Sequence, residues 1–232
     1  VKIPRSVKFL GKSIFKNCQH LESVDLPDSL VEIGKSMFSN CTNLTSVQIP
    51  TGVKTINEDA FACCSSLELI ELPPSITSIG NSAFSQCESL KTIHIPSGVT
   101  SIGKLAFYGC EKLKSVELNE GLTIISDGMF GDCESLCDVL IPETCKKIED
   151  DAFEDCVKLK QITIPESVKV IGDSVFSGCC KLNSITLPSS AISIGKSVFN
   201  GCAKLKTVKI PDGLQSISED MFSNCESLQS IT

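Results

Sequence analysis

Phenylalanine stands at residues 15, 38, 61, 84, 107, 130, 153, 176, 199 and 222, ten times at a constant step of 23. Cysteine follows three residues behind each of them, from Cys18 to Cys225. A strict period of this length marks a solenoid, in which one repeat forms one coil and only stacking buries its apolar side. The period overrides the one or two globular domains that 232 residues would otherwise suggest. The chain reads as a single array of ten 23-residue repeats spanning residues 1–232. The pattern begins in mid-repeat at Val1 and stops inside a strand motif at Thr232, so a fragment of a longer protein is expected.

Residues 76–96 show the consensus, and two periodicities coexist in them. Ala83, Phe84, Cys87 and Leu90 fall at spacings of three and four, which predicts a short helical turn with one buried side. Leu90, Ile93 and Ile95 continue as Leu-x-x-Ile-x-Ile, whose last part alternates as a half-buried strand does. Pro closes that strand in most repeats, because it cannot donate to a continuing ladder. Ile76 and Ile79 predict a second short extended segment on the opposite side of the coil. The expected fold is therefore a solenoid with one parallel β-sheet of about ten short strands, centred near Val24, Val47, Ile70, Ile93, Val116, Val139, Ile162, Ile185, Val208 and Ile231. Extended segments and helical turns complete each coil.

Fourteen cysteines would ordinarily suggest a disulfide framework or metal sites. Ten of them share one repeat position between the buried Phe and the buried Leu, which predicts a core-facing column. Neighbours in that column would be about 4.8 Å apart with parallel Cα–Cβ vectors, whereas a disulfide needs Cβ atoms about 3.5–4.5 Å apart and turned toward each other. All ten are expected to be buried, reduced and structural. Of the other four, Cys63 and Cys180 are expected at the surface, Cys137 sits at the start of a strand, and Cys145 takes a Val/Leu slot. Cys133, Cys137 and Cys145 lack the two close ligand pairs of a structural zinc site, so neither a metal nor a cofactor is expected.

The net charge of −7 excludes nucleic acid as the main partner, since phosphate contacts require a basic face. Residues 117–155 hold twelve acids against Lys146 and Lys147 only. This stretch is either a solvated face or a patch for basic partners or divalent cations. No apolar stretch reaches the roughly 18 residues of a membrane helix. The two histidines, His20 and His94, lie about three coils apart, so Cys–His catalysis has nothing to build on and no catalytic residue is expected.

The pattern Leu-x-x-Ile/Val-x-Leu/Ile-Pro, followed by Val-x-x-Ile-Gly-x-x-Ala-Phe-x-x-Cys, resembles the BspA-like class of leucine-rich repeats over all ten repeats. The resemblance implies a leucine-rich-repeat solenoid in a cell-surface or secreted protein, with a role in adhesion or in binding a host or partner. It implies no enzymatic activity. Repeats six and seven depart from the pattern: Asn119 replaces Pro, Cys145 replaces Val or Leu, and Ser126 and Glu149 replace Gly. Sequence drift and a local irregularity in curvature both account for this.

Strand alternation leaves two outward columns, mostly Ser and Thr as on a plain β-surface. Leu69, Glu71, His94, Glu117, Asp138 and Leu140 break that uniformity in the middle coils. They are the candidate partner-binding residues, with apolar area from the leucines, selectivity from the carboxylates and pH sensitivity from His94. A monomeric, non-catalytic module that binds a protein or glycan is expected. The alternative is a structural spacer that presents another domain.

Overall fold

The computed structural model describes all residues, 1–232. Each repeat forms one coil, numbered here one to ten by its Phe, and three parallel ladders join successive coils in a register offset of 23.

The first ladder is the expected sheet, here called the front. Its strands are Ile93–His94, Ser115–Glu117, Asp138–Leu140, Gln161–Thr163, Ser184–Thr186, Thr207–Val208 and Ser230–Ile231. All pairings in it are parallel, and Val116 faces Val139 as Ile162 faces Ile185. The strands centred on Val24, Val47 and Ile70 shrink to single bridges, Lys2 with Asp25, Gln48 with Glu71, and Leu69 with Thr92. The front is thus a run of short sheet segments. Within each three-residue strand the middle residue is buried and its neighbours exposed, as the alternation requires.

The second ladder carries the other extended segments. It comprises two four-stranded parallel sheets, Glu32–Ile33 to Ser101–Ile102 and Ile124–Ile125 to Ser193–Ile194. Glycine sits just beyond most of these strands because the coils approach closely there. A Cβ on Gly103 would lie 2.5 Å from the Asn81 nitrogen and 2.7 Å from the Gly80 carbonyl carbon.

The third ladder corrects an expectation. The segment around Phe and Cys contains no helix. It is a chain of tight turns in which backbone bonds alternate between the same coil and the next. Phe38 N–H donates to Ala60 O at 2.8 Å and Asn40 N–H to Ala62 O at 2.7 Å, while Cys41 N–H returns to Phe38 O at 3.0 Å. Two residues per coil, four apart, take positive φ, such as Ser36 and Asn40 or Ser174 and Gly178. This explains why Ser, Asp, Asn and Gly recur there, since these residues reach the left-handed region at least cost. A helix would bond only within its own coil; these turns bond across coils, which the stack requires.

The phenyl rings stack along the array with centroids 5.2–6.0 Å apart and planes within 15°. Beside them, each column thiol from Cys41 to Cys225 donates to the carbonyl of the Phe in the preceding coil, as Cys64 does to Phe38 at 3.1 Å and Cys110 to Phe84 at 3.3 Å. Cys110 and its equivalents from Cys41 to Cys202 are fully buried. The expectation that all ten would be buried fails at the two ends: Cys18 is exposed and Cys225 half-buried, because each has a neighbouring coil on one side only. All fourteen thiols are unpaired; Cys63 and Cys137 are exposed, Cys180 is half-buried, and Cys145 fills the core slot of the Val or Leu it replaces.

Burial pushes the column thiols up from their ordinary value of 9, to about 11 at Cys41 and about 12 at Cys110, against the opposing effect of a backbone hydrogen bond. A thiol whose folded value is raised stays protonated in the coil while the unfolded chain ionises. Stability is therefore retained below pH 9 and lost above it, by about 1.4 kcal/mol per pH unit for each fully buried thiol such as Cys110. Urea midpoints recorded across this range should fall steeply on the alkaline side. Replacement of Cys110 by Ala should cost about 1–3 kcal/mol through a cavity and a lost donor, and replacement by Asp more, since a buried carboxylate finds no partner there. Denaturation of the two variants at neutral pH checks both.

Candidate interaction face

The front sheet displays every residue that the alternation singled out. Leu69, Glu71, His94, Glu117, Asp138 and Leu140 are all exposed, with Leu69 at 51% and Leu140 at 63%. The 23-residue register brings them side by side. His94 pairs with Glu117, Glu117 with Leu140, and Ser115 with Asp138. Leu69 bridges Thr92, and Gln48 bridges Glu71. One outward column thus runs Gln48, Glu71, His94, Glu117, Leu140, with His94 between two carboxylates. The other runs Leu69, Thr92, Ser115, Asp138.

Two shallow depressions adjoin this row. One, of about 570 Å³, is lined by Leu69, Glu71, Thr92, His94, Ser115 and Glu117 among others. The second lies between coils two and three and adds Gln48, Thr51, Pro73 and Pro74 to Leu69 and Glu71. These four were not among the residues the alternation selected, because Thr51 and the prolines follow the strands and Gln48 is an ordinary outward polar residue. Nearby, Lys91 pairs with Glu68 at 2.6 Å, so the carboxylate that flanks Leu69 is already matched. That contact pulls the Glu68 carboxyl below the usual range.

The acidic stretch divides: Glu117 and Asp138 stand on the front, whereas Asp150 belongs to the stack. Asp150 Oδ1 accepts the Asp173 N–H at 2.9 Å, and Asp173 Oδ1 accepts the Lys196 N–H at 2.8 Å, as Asn81 does for Lys104 in an earlier coil. These side chains lie beyond the second ladder, away from the front sheet. Burial, with repulsion from Asp127, Asp150 and Asp173, pushes the Asp151 carboxyl up.

The irregular repeats resolve into two kinds. Asn119, in place of Pro, bonds Pro96 O through its amide at 2.9 Å and accepts the Gly121 N–H at 2.7 Å, so the coil keeps its shape. Glu149, in place of Gly, still donates its N–H to Ile125 O at 2.9 Å, as Gly172 does to Ile148. Ser126 behaves differently. Its hydroxyl, not its N–H, bonds Ile102 O at 2.7 Å, and the second ladder is interrupted at this point. Ser218 repeats the substitution with Ile194 O at 2.8 Å, where that ladder ends. Lys104 and Asp127 close the opened interface with an ion pair of 3.1 Å.

The model for the BspA-type leucine-rich repeat region matches residues 1–111, 58–183 and 169–232, and so the whole chain. The chain belongs to the BspA-type leucine-rich repeat family. Among solved structures it is similar to a leucine-rich repeat protein from Bacteroides ovatus at 33% identity and a TM-score of 0.82, over all of this chain and 68% of that one. It is also similar to the leucine-rich repeat protein of T. pallidum, at 32% identity and a TM-score of 0.63, over 79% of this chain and 78% of that one. A leucine-rich cell surface protein from Faecalibacterium prausnitzii matches at 26% identity and a TM-score of 0.58, over 99% of this chain and 86% of that one. No curated protein matches the chain in sequence. No helix of this BspA-type array is long and apolar enough to cross a membrane.

Burial, with repulsion from its neighbours, gives Asp151 a pH-dependent cost on the turn side. A raised carboxyl stabilises the fold only below its unfolded value of about 3.9 and loses that contribution as pH rises. Asp151→Asn, which also suits the positive φ of 54° at this residue, should raise the neutral-pH urea midpoint. Solvent screening keeps the gain below about 1 kcal/mol. The gain should vanish when the same measurement is made in acid.

Proposed function

We propose that this array is a non-catalytic binding module of a cell-surface or secreted protein, which engages a protein or glycan partner over the front of coils three to six. The observation that carries the reading is the continuity of the outward row: Glu71, His94, Glu117 and Leu140 follow one another along one column, with Leu69 and Asp138 in the next. Elsewhere the same columns hold mainly Ser, Thr and Gln. Apolar side chains exposed beside unmatched carboxylates supply both contact area and selectivity. The core leaves these positions free, because every residue in the row points away from it. The similarity to a protein described as a cell surface protein supports the location. The two histidines lie coils apart and burial holds the core thiols such as Cys110 protonated, which supports the non-catalytic reading.

A quadruple change of Leu69, Glu71, Glu117 and Leu140 to Ser or Thr should leave the thermal midpoint nearly unchanged, since all four side chains face solvent. Against a partner identified on a glycan array or a panel of purified proteins, the variant should bind at least tenfold more weakly. Undiminished binding by the folded variant would remove this face as the site.

A further inference from the structure

The front of coils seven to nine has the opposite character. Residues 157–165, 180–188 and 203–211 each contribute one strand and the turn leading into it, and together they contain six lysines and no acid. The corresponding segments of coils three to six, between Ser65 and Pro142, hold Glu68, Glu71, Glu88, Glu111, Glu117, Glu134 and Asp138. One protein of net charge −7 thus carries a basic field on one end of the same face.

Its geometry is regular. Lys158, Lys181 and Lys204 occupy one repeat position, so they form a row along the rim of the sheet at about the 4.8 Å spacing of adjacent strands. Lys160 and Lys206 stand two residues further on, and Lys209 lies on the front itself. All six are exposed and none belongs to any of the five ion pairs of the molecule. At the position after the column cysteine, coils four to six place Glu88, Glu111 and Glu134, whereas coils seven to nine place Val157, Cys180 and Ala203. Coils seven to nine therefore lack the column of carboxylates that this position carries in coils four to six. Beside the row, a shallow groove of about 330 Å³ presents Gln161, Thr163, Ser184 and Thr186, with Asp138 and Leu140 of coil six along one side.

Resting on the reading of the front as the binding face, we infer that coils seven to nine bind a linear anionic polysaccharide, with sulfate or carboxylate groups on the lysine row and sugar hydroxyls on the polar groove. A row of point charges at a constant step matches a polymer whose charges repeat along its length, and lysine accepts such groups without fixed orientation. The groove lacks any aromatic ring, and without one the bases of a single-stranded nucleic acid have no surface to stack on. Polysaccharide hydroxyls need only the amide and hydroxyl partners that are present.

The test is the binding of this chain to heparin, to desulfated heparin, to hyaluronate and to oligo(dT), from low to physiological salt. The unaltered chain should bind heparin with an affinity that falls as salt rises, through release of counterions from the polymer. The folded triple variant Lys158→Gln, Lys181→Gln, Lys204→Gln should bind at least tenfold more weakly and with a shallower salt dependence. Lys35→Gln with Lys104→Gln, which removes paired lysines elsewhere, should change nothing. Heparin preferred over both desulfated heparin and hyaluronate assigns sulfate, and equal binding of hyaluronate assigns carboxylate. Absence of binding to any polysaccharide, full affinity in the triple variant, or equal or tighter binding of oligo(dT) would overturn the inference. A variant altered at Leu69, Glu71 and Glu117 alone, none of which lines this groove, should bind heparin as the unaltered chain does, so the two ends of the front fail or stand separately.

Discussion

The carbonyl oxygen of the repeat phenylalanine is the acceptor on which the stack turns. It receives the N–H of the cysteine three residues on, closing the turn, and the S–H of the cysteine in the next coil, joining the coils. Both lone pairs are used within a dry core, where an unmade bond is costly. The side chain that reaches this oxygen must be small, apolar enough to be buried and able to donate, which describes a thiol. The ring of the same phenylalanine stacks on its neighbours. One residue therefore sets the turn, the step and the packing, and its 23-residue period tolerates no slip.

What this column fixes, the faces are free to vary, and they vary unequally. The second ladder depends on close backbone approach and responds to a single substitution: the hydroxyl of Ser126 takes the place of a backbone donor and the ladder opens. The front sheet asks only for a buried residue between two exposed ones. Its outward columns can therefore change charge from coil to coil without disturbing the core. The result is an acidic and apolar stretch over coils three to six and a basic one over coils seven to nine, on one continuous scaffold.

Much of this was legible in the chain itself. The period gives the coil, and with it the register that sets His94 beside Glu117 and Glu117 beside Leu140. The alternation identifies which residues face out. Spacing alone points to a helix in the turn segment, since Ala83, Phe84, Cys87 and Leu90 are placed as a helix would place them. Turns that mix right- and left-handed residues produce the same spacing. The signal that separates the two was present, in the Asn, Asp and Gly recurring before the cysteine at residues 17, 40, 109, 132 and 178. The exposure of Cys18 follows from stacking, which no single repeat reveals. The contrast between Ser126 and Glu149 depends on which donor meets the carbonyl, a matter of local geometry that repeat alignment leaves undetermined.

Native-state hydrogen exchange, residue by residue, tests most directly that the phenylalanine–cysteine column holds the array and that the outer ladders are subordinate to it. The amides of Phe38 to Phe199 and of the column cysteines Cys41 to Cys202 should exchange slowest of all, only by global opening. Within the same central coils, the amides of Thr123 and Ser126 should exchange far faster than their counterparts Lys146 and Glu149, which bond to the coil before them. Equal protection on both sides of that interface, or faster exchange at the phenylalanines than on the front strands, would contradict the account.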